Sequence, residues 1–123
     1  MESSTFEVIK GGWIEKRSRF VKKWRRRYLI LTPKTLETYK EENISDSAPT
    51  ERIPLDQTTT VKSAEEETKR EFAFKVETRE RIFYFCASDV SDKETWIGVI
   101  GRAMVKPSVL RSKSEEDALN GIS

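Results

Sequence analysis

The sequence contains no histidine and a single cysteine, Cys86. One cysteine cannot form an internal disulfide, and so sparse a use of cysteine is typical of a reducing compartment. Without histidine, and with only one thiol, the usual transition-metal ligand sets cannot be assembled. We therefore expect no metal, no cofactor and no disulfide framework.

Long apolar runs are also missing. The longest lie at residues 28–31 and 82–87, well short of the roughly 20 residues that a membrane span needs. The first ten residues have no apolar stretch of signal-peptide length, so we expect an intracellular chain. With 123 residues, 36% of them apolar and 36% charged, one domain with polar ends is expected: a flexible lead-in at residues 1–8, a folded domain at 9–106 and a polar, disordered tail at 107–123.

Groupings that would support catalysis are absent too. Cys86 has no histidine to activate it, and in a strand it is expected to behave as a small buried hydrophobe. The glutamates at residues 65–67 lie in a polar stretch with no apolar pocket around them. Gly11-Gly12 lacks the spacing and the following helix of a phosphate-binding loop. The sequence therefore predicts that the protein is not an enzyme.

Positive charge, by contrast, is concentrated in one short stretch. Between Lys10 and Arg27 there are nine lysines or arginines and one acid, Glu15, whereas the rest of the chain carries 14 basic and 20 acidic side chains. Such a local field attracts phosphate on a membrane, a nucleic acid or a soluble anion. A solvated loop is the alternative for a charge run of this kind.

Seven short segments with strand-like composition or alternation precede one helical pattern. The strands are predicted at residues 13–16, 24–31, 36–40, 52–55, 58–62, 71–76 and 81–86. A helix is predicted over residues 89–106, with its N-cap at Ser88, Asp89 or Ser91. Its apolar stripe comprises Trp96, Val99, Ile100, Ala103 and Met104. The pattern indicates a mainly β protein with one C-terminal helix, and Trp96 is expected in the core.

Strand alternation gathers some of the basic residues on one face. Arg25 and Arg27 share a face of the second strand, and Lys16 should lie across from its start, near Arg25. Like charges facing each other across a ladder are unfavourable. Glu15 points to the opposite face and cannot relieve them. Such a cluster makes sense if an anion binds there.

The connection between these strands places apolar residues among cations. Phe20 and Val21 are flanked by Arg19, Lys22 and Lys23. Phe20 and Val21 could dip into a membrane interface while the cations meet anionic headgroups. The alternative is that Phe20 covers the backbone of its own loop.

Several of these segments, in this order, resemble the pleckstrin-homology (PH) domain family: GWIEK at residues 12–16, KKWRRRYLIL at 22–31, LETYK at 36–40, and Trp96 in the final helix. The resemblance covers residues 9–106. It implies a seven-stranded, strongly bent antiparallel barrel or sandwich that is capped by the C-terminal helix.

The resemblance also implies a ligand set. Phosphoinositide binders of the family carry a lysine, several residues, and then Arg/Lys-x-Arg followed by an apolar residue. Lys16, Arg25 and Arg27 match that pattern and are expected to grip the inositol phosphates. Tyr39 matches a third-strand tyrosine that contacts the headgroup in members binding 3-phosphorylated lipids, and Arg81 falls where some members place a further basic ligand.

The function expected from these features is a phosphoinositide-binding, membrane-targeting module, cytoplasmic and peripheral at membranes. Its partners would be phosphoinositide lipids and an anionic membrane surface. An adaptor that binds a protein partner, with weak or no lipid binding, is the main alternative. Nucleic-acid binding or a nuclear-import signal would use the same basic run, but the acidic remainder of the chain argues against the first. The import signal would lie inside a strand and be poorly available.

Overall fold

The computed structural model describes residues 7–43 and 48–105. Its strands are β1 (Lys10–Arg17), β2 (Trp24–Leu31), β3 (Thr35–Tyr39), β4 (Glu51–Pro54), β5 (Thr58–Ser63), β6 (Ala73–Thr78) and β7 (Ile82–Cys86). A 3₁₀ helix (Leu55–Gln57) follows β4, and the α-helices are α1 (Glu65–Thr68) and α2 (Val90–Met104).

The seven strands form one antiparallel sheet with the order β4-β3-β2-β1-β7-β6-β5. β4 and β5 lie at opposite edges of this order, yet only the three residues Leu55–Gln57 join them in the chain. The sheet must therefore curl until its two edges approach each other. The predicted fold class is confirmed, as a strongly bent sheet that is not closed.

The concave face of the sheet carries the core. Alternation along the strands buries one set of apolar side chains inside the curl. The large, fully buried side chains of this set are Leu29, Leu31, Leu36, Ile53, Phe74, Val76 and Phe85, and Trp96 and Ile100 of α2 pack against them. Phe74 and Phe85 stack at 5.4 Å between ring centroids.

Helix α2 packs against this core from one end of the sheet. It begins after Asp89, whose carboxylate accepts a hydrogen bond from the backbone N–H of Asp92, so Asp89 is the N-cap among the three predicted candidates. Trp96 is completely buried, as predicted. The Nζ of Lys10 lies 4.8 Å from the centre of the Trp96 ring, which connects the helix to β1.

Some predicted boundaries are wrong. β1 begins at Lys10 rather than at residue 13, because Gly11 and Gly12 pair with Ile30 and Leu29 of β2. One helix was not predicted: residues 65–68 form the single turn α1, in the polar stretch that contains the glutamates at 65–67. β6 begins at residue 73 rather than 71, because Phe72 adopts a positive φ of 66°.

The ends of the predicted domain are only partly described. Ile9 continues the ladder, since its N–H donates to the carbonyl of Leu31 at 2.7 Å. Helix α2 ends at Met104 rather than at residue 106. The predicted disordered tail at 107–123, and residues 1–6 of the predicted lead-in, lie outside the described residues.

Candidate anion-binding site

The hairpin of β1 and β2 forms one wall of the candidate site. Lys16 stands directly opposite Arg25, which confirms the predicted juxtaposition, and Arg27 stands opposite Ile14. The connecting loop closes between Ser18 and Lys23, where the Ser18 N–H donates to the Lys23 carbonyl at 2.7 Å. The backbone N–H of Lys23 in turn donates to the Ser18 hydroxyl at 3.1 Å. This pairing fixes where the two strands diverge.

The concave face of the hairpin lines an open pocket of about 440 Å³. Its cations come from the hairpin and from the residue that precedes β7. The lining residues are Lys16, Ser18, Arg19, Phe20, Arg25, Arg27, Thr50, Glu51 and Arg81. The structure therefore brings together four of the five residues predicted as ligands. Five cations and one carboxylate line the pocket among the described residues, which is the chemistry of a multivalent anion site.

Glu51, the first residue of β4, is a member of this pocket that sequence reasoning missed. Its Oε1 lies 2.5 Å from the Nζ of Lys16, and its Oε2 lies 2.5 Å from a guanidinium nitrogen of Arg81. All three side chains are largely buried. Glu51 faces the pocket because it pairs with Thr38, which pairs in turn with Leu29 on the concave face. Only knowledge of the strand order reveals this placement.

Arg25 and Arg27 differ from Lys16 and Arg81 in having no acidic partner among the carboxylates that the structure describes. Arg25 is exposed and Arg27 is half-buried. The Arg27 guanidinium donates to the backbone carbonyl of Arg26 at 2.8 Å. Two guanidinium groups side by side in an open pocket are suited to bidentate contacts with phosphate oxygens.

The tip of the loop projects its apolar residues outward. Phe20 is 84% exposed and Val21 is 65% exposed. The alternative that Phe20 covers its own loop finds little support, because its ring contacts only the Arg19 guanidinium, at 5.1 Å, among the aromatic contacts of the described residues. Lys22 and Lys23 are exposed beside it, and Lys22 makes the turn with a φ of 55°. The tip thus presents two apolar side chains with cations on both sides.

Tyr39, which the family resemblance implied as a headgroup ligand, does not join the cationic cluster. Tyr39 pairs with Tyr28, on the convex face of the sheet, whereas Arg27 points to the concave face. Its buried hydroxyl donates to the carboxylate of Glu37 at 2.5 Å. Burial, and then the neighbouring Glu37, raise the pKa of Tyr39 to about 12. The third-strand tyrosine therefore anchors a structural network in this chain.

Glu37 is the centre of that network. Burial favours its protonated form, but hydrogen bonds from Tyr39, Thr35 and Arg52 outweigh burial and hold the pKa of the Glu37 carboxyl below its ordinary value. The Nε of Arg52 lies 3.0 Å from Glu37 Oε2. The network ties β3 to β4 on the face away from the pocket, and so helps to place Glu51.

On the convex face of the same hairpin, the arginines have aromatic or acidic partners. The Arg26 guanidinium lies 4.3 Å from the centre of the Trp13 ring, and that of Arg70 lies 4.5 Å from the Trp24 ring. Arg70 also forms an ion pair with Glu15. A second pocket, of about 540 Å³, opens beside these groups. The alternation of Arg25, Arg26 and Arg27 was the sequence signal for this division.

Among the described residues, neither a metal site nor a membrane-spanning helix is found, and the one cysteine is buried. Over residues 7–43 and 48–105, no three histidine, cysteine or acidic side chains are grouped so as to hold a metal ion. In the same ranges, no helix is both long and apolar enough to cross a bilayer. Burial raises the pKa of the Cys86 thiol, and its Sγ donates to the carbonyl of Glu71 at 3.1 Å. Cys86 is thus a buried hydrophobe, as predicted.

Comparison with known proteins identifies the class. Residues 8–105 match the family model described as PH domain. The chain is 32% identical over 114 residues to pleckstrin homology domain-containing protein 1 of Arabidopsis thaliana, an alignment that covers 90% of this chain and 77% of that protein. The chain therefore belongs to the PH domain family.

More distant relatives embed a similar segment in longer proteins. Pleckstrin from Canis lupus familiaris is 28% identical over 90 residues, which are 72% of this chain but only 25% of pleckstrin. The C-terminal PH domain of pleckstrin, in complex with D-myo-Ins(1,2,3,5,6)P5, superimposes with a TM-score of 0.69 at 27% identity. That match covers 82% of this chain and 99% of the solved domain.

Proposed function

We propose that this PH domain binds the headgroup of phosphoinositide lipids in the concave pocket of the β1–β2 hairpin, and that it thereby recruits its protein to the cytoplasmic face of membranes. Lys16, Arg25, Arg27 and Arg81 are the proposed headgroup ligands. In this role the domain is a binding module rather than an enzyme.

The observation that carries the proposal is the pair Arg25 and Arg27. Both line the pocket, and neither meets a carboxylate of the described residues. Glu51 offsets the charge of Lys16, which stands opposite Arg25, but Arg25 and Arg27 have no carboxylate of the described residues to offset theirs. Phosphate oxygens would satisfy several donors at once through charge-assisted hydrogen bonds.

The relatives support the same ligand class. The solved C-terminal PH domain of pleckstrin holds an inositol pentakisphosphate, and a second complex of that domain holds another isomer. The PH domain of Slm1, 25% identical with a TM-score of 0.65, was solved with phosphoserine. These ligands belong to those proteins, and they share phosphate groups with the ligand proposed here.

The loop tip supplies the proposed membrane contact. Arg19, Lys22 and Lys23 would meet anionic headgroups, and Phe20 and Val21 would enter the interface. Phe20 also lines the pocket, so a lipid headgroup in the pocket would bring the tip to the bilayer surface. Each basic residue near an anionic surface adds about 1 kcal/mol of attraction, and burial of a phenylalanine adds roughly 1.5–3 kcal/mol.

Selectivity for 3-phosphorylated lipids has less support from the structure than from the sequence. Its sequence argument combined the Lys16/Arg25/Arg27 pattern with Tyr39, and Tyr39 lies on the other face of the sheet. The pattern alone still favours phosphatidylinositol 3,4,5-trisphosphate or 3,4-bisphosphate. Equal affinity for the 4,5-bisphosphate headgroup would remove that preference.

Co-sedimentation with vesicles tests the function. Vesicles of phosphatidylcholine should leave the protein in solution, and those containing phosphatidylinositol 3,4,5-trisphosphate should sediment it. Vesicles with phosphatidylserine at equal total charge control for non-specific attraction, and duplex DNA serves as a competitor for the nucleic-acid alternative. Equal binding to both anionic vesicles would contradict headgroup recognition.

A protein-binding role is the second candidate, and the convex pocket of about 540 Å³ is the observation that favours it. Trp13 and Arg26 line that pocket beside the exposed Glu71, a mixture typical of the aromatic and arginine-rich centres of interfaces. A chain that sediments with no phosphoinositide but loses a cellular partner on Trp13→Ala would serve as an adaptor instead.

A further inference from the structure

Glu51 occupies the position between Lys16 and Arg81 that an anion in the pocket would compete for. Among the described residues that line the pocket, it is the only acid. Its two oxygens are divided between the two cations, one on β1 and one immediately before β7. A carboxylate and a phosphate seek the same donors, so Glu51 and a ligand phosphate cannot both keep these contacts.

The contact between Glu51 and Lys16 is ionic rather than directional. Glu51 Oε1 and Lys16 Nζ lie 2.5 Å apart, but Oε1 has no partner in hydrogen-bonding geometry among the described residues. The buried Nε–H of Arg81 likewise meets no acceptor in the described part of the chain. Arg81 therefore has a further N–H donor that a phosphate oxygen in the pocket could accept from.

We propose that Glu51 is a built-in competitor of the ligand: it neutralises Lys16 and Arg81 in the empty pocket and yields them to a phosphate of the entering headgroup. This inference rests on the proposed function. Arg25 and Arg27, which have no acidic partner among the described residues, make the first contacts, and Lys16 and Arg81 join only when Glu51 withdraws. Glu51 thus sets the affinity of the pocket.

Two opposite effects follow from replacing Glu51 with glutamine. Without ligand, Lys16 and Arg81 stay largely buried and lose the Glu51 counter-charge, so Glu51→Gln lowers the unfolding temperature. With ligand, the Glu51 carboxylate no longer competes for the two cations or repels the phosphates. Affinity for D-myo-inositol 1,3,4,5-tetrakisphosphate should then rise about tenfold, the size expected when one like charge near the ligand is removed from an open pocket.

The experiment combines calorimetric titration with this soluble inositol phosphate and thermal unfolding with and without it. Glu67→Gln is the matched control. Glu67 forms a 2.6 Å ion pair with Lys75 and lies outside the pocket, so its replacement makes the same change in net charge. The control should bind like the wild type. If Glu51→Gln does not fold, Glu51→Asp keeps the charge but shortens its reach, and should show the same gain at smaller size.

The outcomes separate the inference from the function on which it rests. If the wild type binds and the Glu51 variants bind equally or more weakly, Glu51 is a structural partner that holds Lys16 and Arg81 for the ligand, and the competitor role is overturned while the function stands. If neither the wild type nor any variant binds inositol phosphate or phosphoinositide vesicles, the proposed function fails and the inference falls with it.

Discussion

The concave and convex faces of the β1–β2 hairpin carry the same kind of residue in two different settings. On the convex face, Arg26 stacks on Trp13, and Arg70 stacks on Trp24 and pairs with Glu15. On the concave face, Arg25 and Arg27 line an open pocket without an acidic partner among the described residues. Of three consecutive arginines, Arg26 thus has an aromatic partner on the convex face, whereas Arg25 and Arg27 face the pocket.

The arginines of the convex face stabilise the fold, whereas those of the concave face are available to bind a ligand. A guanidinium over an aromatic face gains about 0.5–1 kcal/mol at an exposed site. Two cations opposite each other across a ladder destabilise the folded state. Strand side chains alternate between faces. A shift of one residue along the strand therefore moves an arginine from the convex face to the concave face.

The largest expected effect is on ligand binding. Replacing Arg25 and Arg27 together with alanine should weaken binding of a soluble inositol phosphate at least a hundredfold, because hydrogen bonds to charged groups contribute roughly 1.5–3 kcal/mol each. The control pair Arg17→Ala, Arg26→Ala removes the same charge from the convex face, where Arg17 pairs with Trp24 and Arg26 stacks on Trp13, and should weaken binding less than about threefold. Calorimetric titration measures both. Equal losses would mean that total charge, rather than the concave pocket, holds the ligand.

A smaller effect is expected at the loop tip. Phe20→Ser should leave affinity for the soluble inositol phosphate nearly unchanged, because the ring is 84% exposed at the edge of the pocket. It should weaken binding to vesicles with the same headgroup about ten- to hundredfold, the value of one buried phenylalanine. Val90→Ser, at an apolar residue that is 58% exposed on α2, is the control and should change neither. If both affinities fall together for Phe20→Ser, the side chain supports the pocket instead of entering the bilayer.

Stability should respond with opposite signs on the two faces. Arg70→Ala removes a stacked ring contact and a partly exposed ion pair, and should lower the free energy of unfolding by about 1 kcal/mol after allowance for solvent screening. Arg25→Ala removes a like charge opposite Lys16 and should leave it unchanged or raise it by a few tenths of a kcal/mol. Urea unfolding at low salt compares them. A loss for Arg25→Ala as large as for Arg70→Ala would erase the distinction.

The smallest expected effect concerns Tyr39, the predicted ligand that lies on the convex face. Tyr39→Phe should change the affinity for inositol phosphate by less than about twofold, because its hydroxyl contacts Glu37 rather than the pocket. A tenfold loss of affinity, measured by the same titration, would return Tyr39 to the site.

The same variant has a pH signature. Since the folded state raises the pKa of Tyr39 to about 12, it favours the neutral phenol. That contribution is complete below the ordinary tyrosine pKa of about 10 and is lost as the pH rises toward 12. Wild-type stability relative to Tyr39→Phe should therefore fall by about 1 kcal/mol between roughly pH 9 and 11, measured by urea unfolding.

The strands could be predicted largely because each carries its own alternation. Trp24–Leu31 was predicted with its observed bounds, since Trp24, Tyr28 and Ile30 favour strand structure. The start of β1 was not, because Gly11 and Gly12 have no strand preference of their own and are held by Ile30 and Leu29. Helix α1 was missed because one turn has no periodicity to detect. It is held in place from outside, as the Phe72 N–H donates to the Glu65 carboxylate at 2.6 Å.

The residues of the candidate site also divide into those that local sequence predicts and those that depend on the strand order. Lys16, Arg25 and Arg27 could be placed together because the hairpin is local and its alternation is readable. Glu51 could not, because it reaches Lys16 only through the pairing of β4 with β3 and β3 with β2. Tyr39 was misplaced because matching it to a family position ignored its alternation with Thr38, the residue that faces inward beside Leu29.

The most direct test of the account is to ask which face of the hairpin the ligand touches. Nitrogen-edited NMR of the wild-type domain, titrated with D-myo-inositol 1,3,4,5-tetrakisphosphate, reports this through side-chain N–H signals. The account predicts that the Nε–H signals of Arg25, Arg27 and Arg81 shift on binding, while the indole N–H signals of Trp13 and Trp24 stay in place. Shifts confined to those indoles and to Arg26 and Arg70 would contradict it, and would move the ligand to the convex face.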